Sequence, residues 1–195
     1  MKMIKTTLIA LAISATASAK TIPAGDYSID GMHSKIGFEI SHLVISSVEG
    51  TFQKYEGTIK VDKKANLSKA EVTIDVDSIN TGVTKRDDHL KSADFFDVQK
   101  FPKMTFASSD VKITGDTLKI KGLLKIKDQS KEVTLAGKYL GEVKDGYGQN
   151  KIAFKASTKI NRKDFGLTWS QAVEAGPVVG DQVEITLNIQ ATLKK

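Results

Sequence analysis

Alternation of apolar and polar residues along most of the chain predicts an all-β protein, an antiparallel barrel of about eight strands. Two further observations support this: turn chemistry recurs at regular intervals, and one charged segment breaks the alternation. Ile36, Phe38 and Ile40 oppose Lys35, Glu39 and Ser41, and Val72, Ile74 and Val76 oppose Glu71, Thr73, Asp75 and Asp77. Leu118, Ile120, Leu124 and Ile126 alternate with Lys119, Lys121, Lys125 and Lys127. Ile152, Phe154, Ala156 and Ile160 repeat the pattern, as do Val183, Ile185, Leu187, Ile189, Ala191 and Leu193. A period of two means half-buried strands with one apolar and one wet face.

Turn residues divide these runs. Thr114-Gly115-Asp116 and Lys144-Asp145-Gly146 read as tight hairpins, and Asp62–Asn66 and Lys127–Ser130 as polar connections. The strands then span 26–42 (with a kink), 47–61, 69–79, 103–113, 116–126, 131–143, 149–161 and 181–194. Hairpin-linked strands with one apolar face each bury it best by curling into a closed barrel. From Lys85 to Lys100, KRDDHLKSADFFDVQK does not alternate, and Leu90, Ala93, Phe95 and Phe96 crowd among charges. This predicts a short helix and a turn between the third and fourth strands. Ser170–Gly180, with Gly176-Pro177, reads as a long loop before the last strand.

The N-terminus reads as a secretory signal at 1–19, followed by one domain at 20–195. Lys2 and Lys5 precede an apolar run from Leu8 to Ala17, about half a membrane span, and Ala17 and Ala19 suit a cleavage site before Lys20. The expected location is the periplasm. With no cysteine, disulfides, thiol catalysis and a lipidated N-terminal cysteine are excluded. Only two of the basic residues, Arg86 and Arg162, are arginines, and the lysines alternate through the strands. That pattern argues against a nucleic-acid reader, which clusters arginine on one face. It fits a solvated exterior, or a weak attraction to anionic lipid headgroups.

The polar residues offer little for catalysis. His33 and His42 stand nine residues apart, roughly 30 Å and on opposite faces of an unbroken strand. His89 brings no ligand spacing to either, so no metal site is expected. Asp87, Asp88 and His89 could form an acid–base group, but successive helical residues diverge and no nucleophile elbow is present. The plainer reading has Asp87 or Asp88 capping the helix and Arg86 pairing with a carboxylate at the rim. The glycines fall singly, as at bends or bulges, and form no phosphate-cradling loop. No cofactor is called for.

Five stretches carry a family resemblance: GDYSIDGMHSKIGFEISHL at 25–43, SSVEGTFQKYEGTI at 46–59, SINTGVTKRDDHLKSADFFDVQKFPKMTF at 78–106, INRKDFGLTW at 160–169 and VVGDQVEITLNIQATL at 178–193. The chain resembles the YceI-like family of periplasmic proteins. RDDHLKSADFFDVQKFP is the most specific of these, because no physical rule of barrels requires it. The resemblance implies an eight-stranded lipocalin-like barrel around an apolar channel. It also implies a long-chain ligand, a polyisoprenoid, an isoprenoid quinone or a related amphiphile, and dimers in some members.

On this reading Phe38, Ile40, Val76, Phe106, Leu124, Ile126, Phe154 and Ile185 line the channel. Phe95 and Phe96 plug one end or line its mouth, and Trp169 packs in the core. Arg86 and His89 either contact the ligand's head group or only fasten the helix to the barrel. The expected function is binding and transport of a long apolar molecule without turnover, with transient membrane contact and a homodimer as further expectations. A hydrolase or isomerase using the barrel interior, and a stress-related structural module with a filled barrel, are the alternatives.

Overall fold

The computed structural model describes residues 22–64, 66–173 and 176–194; the expected signal segment at 1–19 lies outside them. The strands are β1 (Gly25–Ile29), β2 (Lys35–His42), β3 (Ser46–Phe52), β4 (Tyr55–Val61), β5 (Leu67–Asp75) and β6 (Ile79–Asn80). After helix α1 (Thr84–Lys91) come β7 (Lys103–Thr114), β8 (Thr117–Ile126), β9 (Gln129–Lys144) and β10 (Asn150–Asn161). Two short strands, β11 (Ala172–Val173) and β12 (Gly176–Pro177), precede the last, β13 (Val179–Leu193).

All pairings are antiparallel, and neighbours run β1-β4-β5-β7-β8-β9-β10-β13, with β13 returning to β1. The result is a closed eight-stranded barrel with one short α-helix. Three of its eight staves are interrupted. β1 and β2 form one stave, β3 and β4 a second, and β5 and β6 a third, with β2, β3 and β6 continuing the sheet at the upper end. Here "upper" means the end carrying α1.

Each interruption has a local cause. Between β1 and β2, the Asp30 carboxylate accepts from the Met32 N–H at 3.0 Å and from Gln190 Nε2 at 3.0 Å, and lies 2.9 Å from His33 Nδ1. Ser34 Oγ donates to the Gln190 carbonyl and accepts its N–H, so the kink is stitched to β13. Between β3 and β4, Ser78 Oγ accepts the N–H groups of Gln53 and Lys54 at 3.1 and 2.9 Å. Both kinks change which residue parity faces inward. Tyr27 is buried on β1 but Ile36 on β2, and Phe52 on β3 but Ile59 and Val61 on β4. A strand that keeps its register could not make that switch.

The third interruption corrects the expected inward set. Alternation along β5 places Val76 with Val72 and Ile74, but the chain leaves the ladder after Asp75 and makes a 3-10 turn, Val76–Ser78. The Val76 N–H donates to the Pro102 carbonyl. Val76 is buried in the core, yet it is not among the residues that line the cavity.

The turns follow the sequence with two exceptions. Gly115, in the left-handed region at φ 62°, sits in a two-residue hairpin that brings Thr114 opposite Thr117. The Lys144-Asp145-Gly146 turn is longer than a tight hairpin: β10 begins only at Asn150, and Asp145 accepts the N–H groups of Tyr147 and Gln149. Ser170–Gly180 is not a plain loop, because β11 and β12 pair within it. Lys127, which the sequence places at the end of the alternating run and at the start of the polar Lys127–Ser130 connection, occupies the β8–β9 turn at φ 55° and donates to the Phe95 carbonyl at 3.0 Å.

Candidate functional site: an apolar cavity in the barrel

The inward faces of the strands enclose a cavity of about 380 Å³. β8 shows how the sequence makes the wall: its burial alternates without a break from Thr117 to Ile126, placing Leu118, Ile120, Leu124 and Ile126 inside and the lysines outside. Gly122 is the small member of that inward row. A Cβ there would lie 2.5 Å from the Phe106 ring, so the glycine lets the ring lie flat across the strand. Gly50 does the same for the ring of Phe38, its cross-strand partner.

Of the residues expected to line the channel, Phe38, Ile40, Phe95, Phe96, Phe106, Leu124, Ile126, Phe154 and Ile185 surround the cavity, and Arg86 and His89 border it. Its lower end is sealed. Tyr27, Leu118, Ile152 and Ala191 are fully or almost fully buried there. Tyr27 Oη donates to the Pro23 carbonyl at 2.8 Å, and Tyr139 Oη donates to the Glu142 carboxylate. Burial, and then the bond to Glu142, push the Tyr139 phenol far above its ordinary pKa, so it stays a neutral donor.

The upper end is a lid of side chains. α1 has no buried residue and is held by Thr81. The Asp87 carboxylate accepts both the N–H and the hydroxyl of Thr81, at 2.9 and 2.6 Å. Arg86 donates through Nε to Thr81 Oγ1 at 2.7 Å and through Nη2 to the Thr81 carbonyl at 2.8 Å. This corrects the expected roles, because no side chain caps the helix at Val83 and Arg86 pairs with a backbone carbonyl and a hydroxyl rather than with a carboxylate. Nη1 of Arg86 lies outside both bonds. His89 stands edge-on to Phe95 and to Trp169, each at 5.1 Å between ring centroids, and its Nε2 lies 3.0 Å from Asp94. Phe96 meets Phe52 edge-on, and Phe52 meets Phe38, carrying the aromatic layer across the top.

Sequence reasoning missed the residue that holds this lid together. Arg162 is only 2% exposed and borders the cavity. Its Nε donates to the Gly180 carbonyl at 2.7 Å, and Nη1 to those of Leu167 and Trp169 at 2.6 and 2.7 Å. Burial lowers its pKa, and Asp181, 3.4 Å from Nη2, opposes that shift. The charge thus has both a counter-ion and a set of carbonyls, as a buried guanidinium requires. A signal was present, because Arg162 shares the parity of Phe154, Ala156 and Ile160 and so belongs to the inward row. Trp169, expected in the core, is half-buried and lines the cavity. His42 and Ser41 line it as well, whereas His33 is turned out toward Asp30.

The wall can therefore hold hydrocarbon, and its polar side chains, Ser41, His42, Arg86, His89 and Arg162, belong to the upper end. Among the described residues, no group of three His, Cys, Asp or Glu could hold a metal ion.

The profile of the YceI-like domain matches residues 27–191. The chain belongs to the YceI-like family. It is 38% identical over 175 residues to "Protein YceI" of Salmonella newport (strain SL254), covering 88% of this chain and 89% of that one. The crystal structure of the YCEI protein of Campylobacter jejuni covers 97% of this chain and 100% of its own at 30% identity, with a TM-score of 0.70. A domain from Saccharophagus degradans, described as polyisoprenoid binding and implicated in plant cell wall breakdown, shares the YceI-like fold at 16% identity. Its TM-score is 0.67, over 86% of this chain and 98% of that one.

Proposed function

We propose that this YceI-like barrel binds one long-chain apolar molecule, a polyisoprenoid or isoprenoid quinone, and carries it through the periplasm without turning it over. The observation that carries the reading is the asymmetry of the cavity: an aliphatic and aromatic wall, a sealed lower end, and polar side chains only beneath the lid. Each methylene buried there contributes about 0.8 kcal/mol, so a prenyl tail binds without a polar anchor. The head group would lie at the upper end, beside Arg86 and His89. Family membership supports a lipid-binding role, and the Saccharophagus domain, described as polyisoprenoid binding, shares the barrel's fold. Absence of turnover is supported by the side chains themselves. His89 is engaged by Asp94 and two aromatic rings, and Asp87 by Thr81, whose hydroxyl also takes the Arg86 Nε, so these groups are taken up in holding the helix.

Purification from the periplasmic fraction of a secreting host, followed by organic extraction and mass spectrometry, tests the proposal. The expected result is a chain beginning at Lys20 and a prenyl lipid in the extract. A lipid-free extract, together with failure to take up a prenyl alcohol offered in detergent, would overturn the binding claim. A chain that stays in the cytoplasm would overturn the location.

A further inference from the structure

The turn between β2 and β3 is built against two rules. Leu43 and Val44 have φ of 52° and 67°, a left-handed region that is an outlier for a β-branched residue. The turn also presents apolar side chains to water, since Val44 is 63% and Ile45 88% exposed. Other bonds hold it in place. The Leu43 N–H donates to the Val178 carbonyl at 3.0 Å, and Ser46 Oγ donates to the His42 carbonyl. Val44 Cγ2 lies 3.3 Å from where a Cβ on Gly176 would stand, so the turn leans on the β11–β12 hairpin. Val173 of that hairpin is exposed too, as is Val83 at the start of α1. The residues flanking the turn and the hairpin, Ser41, His42, Val178 and Val179, line the cavity. The apolar tips thus stand at the rim of its upper end.

We propose that this rim, with Val44 and Ile45 at its centre and Val173 on the adjoining hairpin, inserts into the surface of a lipid bilayer so that the cavity opens toward the acyl chains. The inference rests on the reading of the cavity as a lipid site and names the surface from which that lipid comes. Two arguments select a bilayer over a protein. The apolar Val178 and Val179 stand between the tips and the cavity beside Ser41 and His42, so a hydrocarbon leaving a bilayer at the tips meets apolar side chains on the way in. The tips are a few protruding side chains, whereas a stable protein interface buries about 800 Å² on each partner. Shallow insertion of single apolar side chains suits the boundary between headgroups and acyl chains. Strain at Val44 fits the same role, since strained backbone persists where function holds it.

Co-sedimentation with phosphatidylcholine–phosphatidylglycerol vesicles tests the proposal. The unmodified protein should pellet with the vesicles, and the double variant Val44→Asp/Ile45→Asp should bind at least about tenfold more weakly. Tyr147→Asp, at an equally exposed position on the lower end, should bind like the unmodified protein. Val44→Gly should raise the thermal midpoint by relieving strain while weakening vesicle binding. All four proteins should take up a detergent-dispersed prenyl alcohol, read through the fluorescence of Trp169. The proposal is overturned if the unmodified protein stays in solution or if the aspartate variant pellets as well as the unmodified one. It is also overturned if the aspartate variant instead breaks a dimer seen by size-exclusion chromatography. Loss of prenyl alcohol uptake in every protein, with the vesicle results intact, would sink the cavity reading and leave the docking surface standing.

Discussion

At the lower end of the barrel the ladders of β7 to β10 continue to their turns, β8 alternating in burial without a break and the β7–β8 and β9–β10 ladders shifting register once each, and the interior is filled by Tyr27, Leu118, Ile152 and Ala191. Three staves are interrupted along the barrel, and the β1–β2 kink reaches toward the lower end, where Lys151 lies 3.7 Å from both Asp30 and Asp145. At the upper end a helix without buried residues lies across the opening, and side chains bond to backbone carbonyls. The lower end is held by hydrophobic burial between long, continuous strands. The upper end is held by a few polar clasps, Thr81 with Arg86 and Asp87, and Arg162 with its carbonyls. Burial spread over many side chains resists local opening, while a clasp can be undone at one residue. A site that loads cargo at one end benefits from that division.

Removing Arg162 is the sharpest way to break the contrast. Arg162→Ala leaves the carbonyls of Leu167, Trp169 and Gly180 without their donor, at a cost of about 3 kcal/mol or more in urea unfolding. Hydrogen exchange should show lost protection concentrated in residues 165–181, with β8 unaffected. Uniform loss across the barrel would mean the two ends are not separate in stability.

A smaller effect is expected inside the wall. Ile126→Trp fills space beside the cavity, so bound prenyl lipid should be lost with less than about 1 kcal/mol of destabilisation, below the usual 1–3 kcal/mol for overpacking. Lys125→Trp on the outer face should change neither quantity. If the outer substitution expels lipid and the inner one does not, the inward register of β8 is wrong.

The smallest effect concerns the β1–β2 kink. Burial would raise the Asp30 carboxyl's pKa, but the bonds from His33, Gln190 and the Met32 N–H hold it below its ordinary value. A carboxyl depressed in the folded state stabilises above its unfolded pKa, and that stability is lost as pH falls through the folded value. Urea midpoints should therefore decline below about pH 4, and Asp30→Asn should flatten this limb. An unchanged limb in the variant would mean the kink owes nothing to that carboxylate.

The sequence made the staves legible because burial on one face writes itself as a period of two. Its eight spans coincide with the staves, including the kinked 26–42 and the short helix after the third. It failed where the chain leaves the ladder, because parity carries no sign of where it stops. Val76 was carried one step too far along β5. The capping role of Asp87 and the carboxylate partner of Arg86 were inferred from residue type, whereas both side chains turn to Thr81, a residue upstream of the helix. Arg162 lay on an inward parity that charge discouraged reading as buried. Val44 and Ile45 fall between the 26–42 and 47–61 spans, and the alternation that marks buried faces gives no sign of how exposed a turn residue is.

The pairing of Tyr27 with Leu193 joins the two ends of the domain and is the seam that closes the barrel. Its partners are separated by nearly the whole domain in sequence, so it is the pairing with the greatest loop-closure cost. A chain emerging N-terminus first can form every stave contact except those of β13, with β10 on one side and β1 and β2 on the other, before its last strand is available. Until that strand arrives the barrel is an open trough, and closing the seam turns it into a vessel. Cargo could thus be enclosed during folding, independently of the route through the rim.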